Sequence, residues 1–168
     1  MVDIKNSSKK GDSDITFNYT NENMVISLLK FIPFCKGDVV LDAGSGKNKV
    51  WFKNLPEFVE KYECEIEDGC DFLLWDRPVD WVIGNPPFAI SYKFLDKATK
   101  ITNKGVAFLL SVRGFNGLTP RRLNTYTQRG FYLNKVHIVS DKRWWGRYYF
   151  VVFEKKKNDL FTWELKSY

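Results

Sequence analysis

Short apolar runs alternate with amphipathic segments along most of the chain, and this pattern predicts an α/β fold with a mostly parallel sheet. The helical segments carry apolar residues three or four positions apart, whereas the strand segments are short and rich in aliphatic and aromatic residues. The predicted helices are 23–34, 50–54, 56–60, 91–102 and 121–129. The predicted strands are 39–42, 62–66, 71–74, 81–83, 106–110, 135–139 and 148–154. We therefore expect a seven-stranded sheet with helices on both faces and an antiparallel last strand.

The length and composition fit one domain. The chain has 168 residues, of which 44% are hydrophobic and 17% aromatic, enough to fill a single core. Residues 1–14 are polar and lack an apolar segment, so we expect them to be disordered and not to form a secretory signal. Residues 15–168 then form a single domain. Because no stretch approaches 18 consecutive apolar residues, the sequence predicts no membrane-spanning helix.

Cysteine and histidine usage argues against several kinds of site. Cys35, Cys64 and Cys70 are odd in number and lack metal-ligand spacing, so we expect them to be reduced in a cytoplasmic protein and predict no metal centre. His137 is the only histidine in the chain. A single histidine argues against histidine-based triads, histidine-metal sites and histidine acid–base catalysis.

Positive charge is concentrated in the C-terminal third of the chain. Residues 1–111 contain 14 Lys and Arg against 16 Asp and Glu, a net charge of −2, whereas residues 112–168 contain 12 against 4, a net charge of +8. In segments 113–117 and 142–148 the basic residues are interleaved with aromatic ones. That mixture favours a polyanionic partner contacted through its phosphates and stacked bases. The alternative is that the lysines simply keep a surface soluble.

An Asn-Pro-Pro-Phe sequence directly follows the apolar run 79–84. The side-chain oxygen of Asn85 and the carbonyl of Pro86 can both accept hydrogen bonds from one amino group, because the prolines restrict the backbone that directs them. The ring of Phe88 offers a face on which a planar base or amide can stack. Together with Pro87, these residues are candidates for binding a planar amino group, and a simple Pro-Pro turn is the alternative.

A second motif lies upstream, where a β-branched strand ends in Asp42 and the turn Gly44-x-Gly46. Glycines at such a turn let the backbone pass close to a ligand, although the third glycine of the dinucleotide fingerprint is absent. An acidic residue about 20 positions further on is expected to bind ribose hydroxyls. Glu65, at the predicted end of the second strand, fills that position, with Glu67 as its rival. As an alternative, these acids cap a helix or a turn.

The order of these motifs resembles that of the class I S-adenosylmethionine-dependent methyltransferases, specifically their adenine-N6 branch. The resemblance covers residues 17–155, and the residues that carry it are Asp42-x-Gly44-x-Gly46, Glu65, Asp71-Phe72 and Asn85-Pro86-Pro87-Phe88. It implies a Rossmann-like fold and S-adenosylmethionine as the cofactor. The family also has an aromatic-Thr-Pro segment before the first strand. Tyr19-Thr20-Asn21 is similar to it, with Asn21 in place of the proline.

The resemblance also assigns roles to individual residues. In the family, the glycine loop lies against the methionine part of the cofactor, the acid after the second strand holds the ribose, and an Asp-Phe pair recognises the cofactor's adenine. The implied cofactor-binding residues are Tyr19, Thr20, Asp42, Gly44, Gly46, Glu65, Asp71 and Phe72. Asp68 is a rival of Asp71. The implied catalytic loop, which holds the target amino group, is Asn85, Pro86, Pro87 and Phe88.

The implied reaction is methylation of the N6 amine of adenine in nucleic acid, with DNA favoured over RNA. Family members that act on DNA usually carry an additional recognition domain, for which this chain has no residues left after its core. We therefore expect weak sequence specificity or a protein partner that supplies target recognition. The candidate contacts with nucleic acid are Arg113, Arg121, Arg122, Lys142, Arg143, Trp144 and Arg147.

Three other functions stay open at this point. The first is methylation of RNA, at adenine N6 or guanine N2. The second is methylation of a protein glutamine amide, for which related enzymes use a similar Asn-Pro-Pro-Tyr loop; Phe88 and the basic C-terminal third disfavour it. The third is a non-catalytic methyltransferase-like subunit that binds nucleic acid. The missing third glycine and Asn21 keep this last hypothesis open.

Overall fold

The structure is a computed structural model that describes residues 20–140 and 146–165. The α-helices in this part are α1 (Glu22–Leu29), α2 (Val50–Lys53), α3 (Ser91–Ile101), α4 (Val112–Asn116) and α5 (Pro120–Gln128). The strands are β1 (Val39–Ala43), β2 (Glu60–Cys64), β3 (Val79–Gly84), β4 (Thr102–Ser111), β5 (Tyr132–Ser140) and β6 (Arg147–Glu154). Short 3-10 helices span Ile66–Asp68, Phe72–Leu74 and Phe88–Ile90. Within the described residues, no helix combines the length and apolar character needed to cross a membrane.

The strands form one sheet in the order β2-β1-β3-β4-β6-β5. The first four strands in this order are parallel, and β6 runs antiparallel to both of its neighbours. The predicted α/β fold with an antiparallel last strand is therefore confirmed. The chain moves from β1 outward to β2 and then returns to β3 on the other side of β1. Such a reversal of strand order opens a crevice at the carboxyl ends of the two central strands.

Helices cover both faces of the sheet, as the sequence predicts. On one face α1 and α2 bury Leu28 and Trp51 against the sheet. On the other face α3 and α5 bury Phe94, Leu95 and Tyr126. The central strands are apolar on both sides because both of their faces are covered. This double covering fixes the central strands rigidly, and their carboxyl ends carry the polar loops described below.

The described sheet has six strands rather than the seven expected, because segment 71–74 does not form a strand. Asp71 accepts a hydrogen bond from the backbone amide of Leu73 and so caps the 3-10 helix Phe72–Leu74. Phe72 and Trp75 point into the core three residues apart, while Leu74 between them is 78% exposed. Two buried positions three residues apart fit a turn of helix and not the two-residue period of a strand.

Two of the predicted helices also differ from the structure. Segment 56–60 forms only a turn closed by Val59 and Pro56, because Glu60 already pairs with Val39 in the sheet. Five residues cannot offset the cost of starting a helix without tertiary support. The predicted helix 23–34 ends as α1 at Leu29 and continues only as a turn, in which the amides of Phe31 and Ile32 donate to carbonyls three residues earlier. Pro33 follows this turn, and the position before a proline disfavours helical backbone.

Candidate active site

The carboxyl ends of β1 and β3 lie side by side at the point where the strand order reverses. The two strands are parallel, and Asp42 is in register with Ile83. The glycine turn that follows β1 and the Asn-Pro-Pro-Phe loop that follows β3 are therefore neighbours. Both sequence motifs thus meet at one edge of the sheet, which is where open α/β sheets bind their ligands.

The glycine turn is held by backbone contacts with the end of β2. The amides of Gly44 and Ser45 donate to the carbonyl of Cys64, at 2.8 and 3.2 Å. The amide of Gly46 donates to Oε2 of Glu65 at 2.7 Å. Gly44 and Gly46 have φ angles of +71° and +65°, a region that glycine adopts at little cost. The turn is therefore fixed in a shape that keeps its backbone open to the crevice.

Glu65, and not Glu67, faces this turn. Glu65 is the first residue after β2 and is 3% exposed, whereas Glu67 lies exposed on the next 3-10 helix. Besides Gly46, the Glu65 carboxylate accepts a hydrogen bond from the amide of Glu67 at 3.4 Å. A carboxylate has about four acceptor positions, so Glu65 retains two for a ligand's hydroxyl groups. Its binding of a ribose stays a prediction.

A disulfide joins Cys64 to Cys70, so the expectation that these cysteines are reduced was wrong. Cys35 is exposed and free. The disulfide closes the short loop that begins with Glu65, and the amide of Cys70 donates to the carbonyl of Glu65 at 2.9 Å. Nothing in the sequence signals this pair, because the number and spacing of cysteines do not show which of their side chains a loop brings together. The link holds the strand end against which the glycine turn rests.

Asp42 lies beneath the glycine turn and is fully buried. Its Oδ2 accepts a hydrogen bond from the amide of Phe52 at 3.0 Å, while Oδ1 has no partner among the described residues. Burial raises the pKa of Asp42 to about 8, and the nearby carboxylates of Glu63 and Glu65 add to the increase. Asp42 is therefore expected to hold its proton at neutral pH, and its predicted contact with the cofactor stays a prediction.

Gly84 is a site residue that sequence reasoning missed. Its φ is +138°, and a Cβ built there would lie 2.9 Å from the carbonyl oxygen of Ala43 and 3.1 Å from Oδ1 of Asp42. Only glycine lets β3 approach the end of β1 this closely. The available signal was its position as the last residue of an apolar strand, directly before Asn85.

Asn85 presents an unused acceptor at this edge. Its Nδ2 donates to Oγ1 of Thr20 at 3.3 Å, and its Oδ1 is buried without a partner among the described residues. Buried polar atoms nearly always have partners, so this unused acceptor is a candidate position for a ligand. Pro86 and Pro87 precede the 3-10 helix that begins at Phe88, and that helix leads directly into α3. Thr20 thus fixes which way the Asn85 amide points.

Two aromatic rings stand next to this acceptor. The ring of Phe88 lies 6.0 Å from the ring of Tyr148, measured between centroids, and the two planes are tilted by 43°. Both rings are partly exposed, as stacking on a ligand requires. Tyr148 pairs with Ser111 at the end of β4, so it belongs to the same edge of the sheet as Asn85.

The remaining cofactor candidates have structural contacts of their own. Asp71 caps the 3-10 helix, as described, and Phe72 is buried against Phe94 with 4.8 Å between the ring centroids. Phe94 also lies under the glycine turn, 3.5 Å from the position of a Cβ on Gly44. Because the ring of Phe72 belongs to the core, a cofactor would meet this segment through its backbone. The roles of both residues stay predictions.

The structure describes four of the seven predicted nucleic-acid contacts. Arg113 on α4 and Arg147 at the start of β6 are exposed at the carboxyl edge, and Arg121 is exposed on the first turn of α5. Arg122 is partly buried and donates to the carbonyl of Gly117 at 2.7 Å. The other three predicted contacts lie outside the described residues; they are Lys142, Arg143 and Trp144. The cofactor candidate Tyr19 also lies outside them.

Comparisons with known proteins identify the fold. Magnesium protoporphyrin IX methyltransferase (ChlM) from Synechocystis PCC 6803, with bound S-adenosylmethionine, has a similar structure, with a TM-score of 0.59 and 11% sequence identity. The aligned region covers 80% of this chain and 78% of the ChlM chain. One chain of the E. cuniculi Mtq2–Trm112 complex, which is responsible for methylation of the termination factor eRF1, aligns over 85% of this chain and 100% of its own length at 16% identity, with a TM-score of 0.61. The chain has the class I methyltransferase fold.

A third structure with this fold is the 23S rRNA methyltransferase ErmE. It covers 85% of this chain and 71% of its own at 13% identity, with a TM-score of 0.53. No protein-family model and no curated protein matches the sequence. Proteins with this methyltransferase fold thus act on a porphyrin, a protein and an RNA. The fold does not select among these substrates, so the choice must come from the residues of the site.

Proposed function

We propose that this protein is an S-adenosylmethionine-dependent methyltransferase that modifies the N6 amine of adenine in DNA. The observation that carries the proposal is Oδ1 of Asn85, a buried acceptor without a partner among the described residues, at the carboxyl end of β3. A planar amino group is the ligand that this oxygen and the Pro86 carbonyl suit best. The partly exposed ring of Phe88 favours an amino group attached to a flat, stackable base.

The residues at the end of β1 and β2 fit S-adenosylmethionine, which supplies an electrophilic methyl group when bound. Gly44 and Gly46 provide a backbone surface without side chains, which a large ligand can approach closely. Glu65 retains acceptor positions for ribose hydroxyls, whereas the carboxylate of Glu63 is paired with Lys49 and accepts a hydrogen bond from Ser45. One protein with this fold binds the same cofactor.

Asn85 and Pro86 would activate the target amine through hydrogen bonds alone. The lone pair of an adenine amine is delocalised into the ring, and it becomes available only when the nitrogen turns pyramidal. Acceptors fixed in place before the reaction stabilise the positive charge that develops on that nitrogen, and a preorganised group of this kind is worth about 3 kcal/mol. The hydrogen bond from Nδ2 of Asn85 to Thr20 supports this role, because it leaves Oδ1 to accept from the target amine.

RNA is the second candidate substrate. The nucleic-acid assignment rests on the basic residues at the carboxyl edge, Arg113, Arg121 and Arg147, which would contact phosphates in either polymer. One protein with this fold is a 23S rRNA methyltransferase. A 2′-hydroxyl contact would separate the two polymers, so the substrate has to be identified by experiment.

The test is the transfer of a labelled methyl group from S-adenosylmethionine, with duplex DNA, single-stranded DNA, structured RNA and protein extract offered in parallel. Digestion and analysis of the products then identify the modified nucleoside. We expect N6-methyladenine in DNA. The same modified nucleoside in RNA would support the assigned catalytic site but identify RNA as the substrate. Label only in protein would contradict the proposal in favour of an amide substrate. Absence of cofactor binding in calorimetry would leave a non-catalytic subunit.

A matched pair of variants tests the role of Asn85. We expect Asn85→Ala to lower methyl transfer about a hundredfold or more, because one preorganised acceptor is lost, and to leave cofactor affinity within about threefold. The control is Asn134→Ala on β5. Asn134 also has a buried Oδ1 without a described partner and an Nδ2 that donates to a distant group, Glu154, at 2.9 Å. Parallel loss of cofactor binding and activity in Asn85→Ala would contradict the assigned role.

A further inference from the structure

A basic groove runs between α3 and α5 on one face of the sheet. It lies next to the Asn-Pro-Pro-Phe loop (residues 85–88), which we call the target loop. Its cavity has a volume of about 490 Å³, and its lining residues are Leu73, Tyr92, Lys93, Asp96, Lys97, Lys100, Arg122, Thr125 and Tyr126. Both helices begin near the carboxyl edge of the sheet, since α3 follows the Phe88–Ile90 helix and α5 follows α4. The groove therefore starts beside the Asn-Pro-Pro-Phe loop and leads away from it.

Positive charge dominates this groove. Lys93, Lys97 and Lys100 recur at helical spacing along one side of α3. The only acid among the lining residues is Asp96, whose carboxylate is paired with Lys100 at 2.7 Å and with Arg129 at 2.8 Å. These ion pairs neutralise the acid, whereas no ion pair is formed by Lys93 or Lys97 within the described residues. The two lysines are therefore available to an anionic ligand.

A flat platform lies at the end of the groove nearest to the target loop. The guanidinium of Arg122 stacks over the ring of Tyr92, 4.6 Å from its centroid, and Arg122 is also anchored by its hydrogen bond to the Gly117 carbonyl. Tyr92 is 39% exposed and lies four residues after Phe88. An anchored arginine on an exposed aromatic ring is a surface on which nucleotide bases stack.

We propose that this groove binds the strand of nucleic acid that carries the target adenine, with its phosphates on Lys93 and Lys97 and a flanking base on the Tyr92–Arg122 pair. The proposal rests on the nucleic-acid substrate proposed above. At 1.5 Å per residue, the stretch from Tyr92 to Lys100 is about 12 Å long, which corresponds to roughly three or four nucleotides at about 3.4 Å each. An acidic peptide could use the lysines but would leave the stacking platform without a role.

The lysines of α3 were not among the contacts predicted from the sequence, because their spacing resembles the solvated face of any amphipathic helix. Only the packing of α5 beside α3 turns that face into one wall of a groove. The groove would also supply part of the binding of the nucleic-acid substrate. Its contacts are with phosphates and stacked bases, so it would add affinity without sequence specificity.

The test is binding of a fluorescein-labelled single-stranded oligonucleotide that contains adenine, measured by fluorescence anisotropy between about 50 and 200 mM salt. The variant Lys93→Gln/Lys97→Gln is compared with Lys156→Gln/Lys157→Gln, which removes the same charge from exposed positions after β6. We expect the groove variant to bind at least tenfold more weakly. The slope of log K against the logarithm of the salt concentration should become smaller by about 1.4, which is about 0.7 for each lost phosphate contact. Tyr92→Leu should weaken binding without changing the salt dependence.

Equal affinities and salt dependences for the two double variants, both folded by circular dichroism, would overturn the groove assignment. Competition by poly-glutamate as effective as that by unlabelled oligonucleotide would also overturn it and assign the groove to an acidic peptide. This test and the methyl-transfer assay can fail independently of each other. Methylated adenine with normal binding by the groove variant refutes only the groove. Groove-dependent binding without methyl transfer to any nucleic acid refutes only the proposed reaction.

Discussion

Replacement of Asp42 by Asn should change how the stability of the protein depends on pH. The carboxyl group is fully buried at the end of β1, one of its oxygens has no described partner, and burial raises its pKa from 3.8 to about 8. The unfolded chain releases the proton of Asp42 near pH 4, whereas the folded chain keeps it up to about pH 8. The fold therefore loses stability as the pH rises between these two values.

The size of this effect follows from the two pKa values. Below pH 3.8 both states hold the proton, so the contribution of Asp42 to stability is fully present there. Above this value the unfolded state gains an advantage of about 1.4 kcal/mol for each pH unit, until the folded state also ionises. Between pH 5 and pH 7 the expected loss in the free energy of unfolding is about 2 to 3 kcal/mol.

Urea denaturation at pH 5 and pH 7 measures this loss in the natural protein and in Asp42→Asn. Asn does not titrate, so the variant should lack the part of the pH dependence that belongs to Asp42. Titrating groups that do not interact with Asp42 are common to both proteins and cancel in the comparison. An unpaired buried amide could lower the stability of the variant, but by the same amount at both pH values. Equal pH dependence in the two proteins would refute the assignment of a protonated, buried Asp42.

Two further predictions concern the geometry of the same edge. Gly84→Ala should lower the free energy of unfolding by about 2 to 5 kcal/mol, because of backbone strain and the clash with Ala43. Its control is Gly130→Ala, at φ +83° with no atom within 4 Å of the added Cβ, which should lower it by only about 1 kcal/mol. Equal urea midpoints of the two variants would contradict the close approach of Gly84 to Ala43. Reduction of the Cys64–Cys70 disulfide should lower stability by about 2 kcal/mol through the loop it closes. It should also weaken cofactor binding in calorimetry, and Cys64→Ser/Cys70→Ser, unlike the natural protein, should not respond to a reductant.

The sequence was sufficient to place the residues at the ends of the parallel strands. An apolar run that stops at Asp42 or at Asn85 marks a buried strand that emerges from the core, and parallel strands emerge at the same edge. Chain order and spacing then bring the two loops together without any knowledge of side-chain contacts. The same reasoning placed Glu65 at the end of β2, and its hydrogen bond to Gly46 agrees with that placement.

Features that depend on contacts between distant segments were not predictable in this way. The link from Thr20 to Asn85, the fit of Gly84 against Ala43 and the groove behind Lys93 each need the three-dimensional packing. The prediction of a strand at 71–74 was wrong because four residues of mixed apolar character fit either a strand or a turn, and only the burial of Phe72 and Trp75 beside an exposed Leu74 decides between them.

Within residues 20–140 and 146–165, no histidine lies beside the Asn-Pro-Pro-Phe loop, which bears on the reaction proposed for this edge. The only histidine of the chain, His137, lies on the outermost strand β5 with its ring 4.5 Å from that of Phe31. Asp42 is buried with a raised pKa, and the two acceptor positions that Glu65 retains beside its two backbone amides are those proposed for ribose hydroxyls. A hydroxyl or carbon nucleophile must lose its proton before or during methyl transfer and so needs a base. An aromatic amine acquires positive charge during transfer and loses its proton to water afterwards. For the amine substrate proposed above, a neutral acceptor such as Asn85 would then be sufficient.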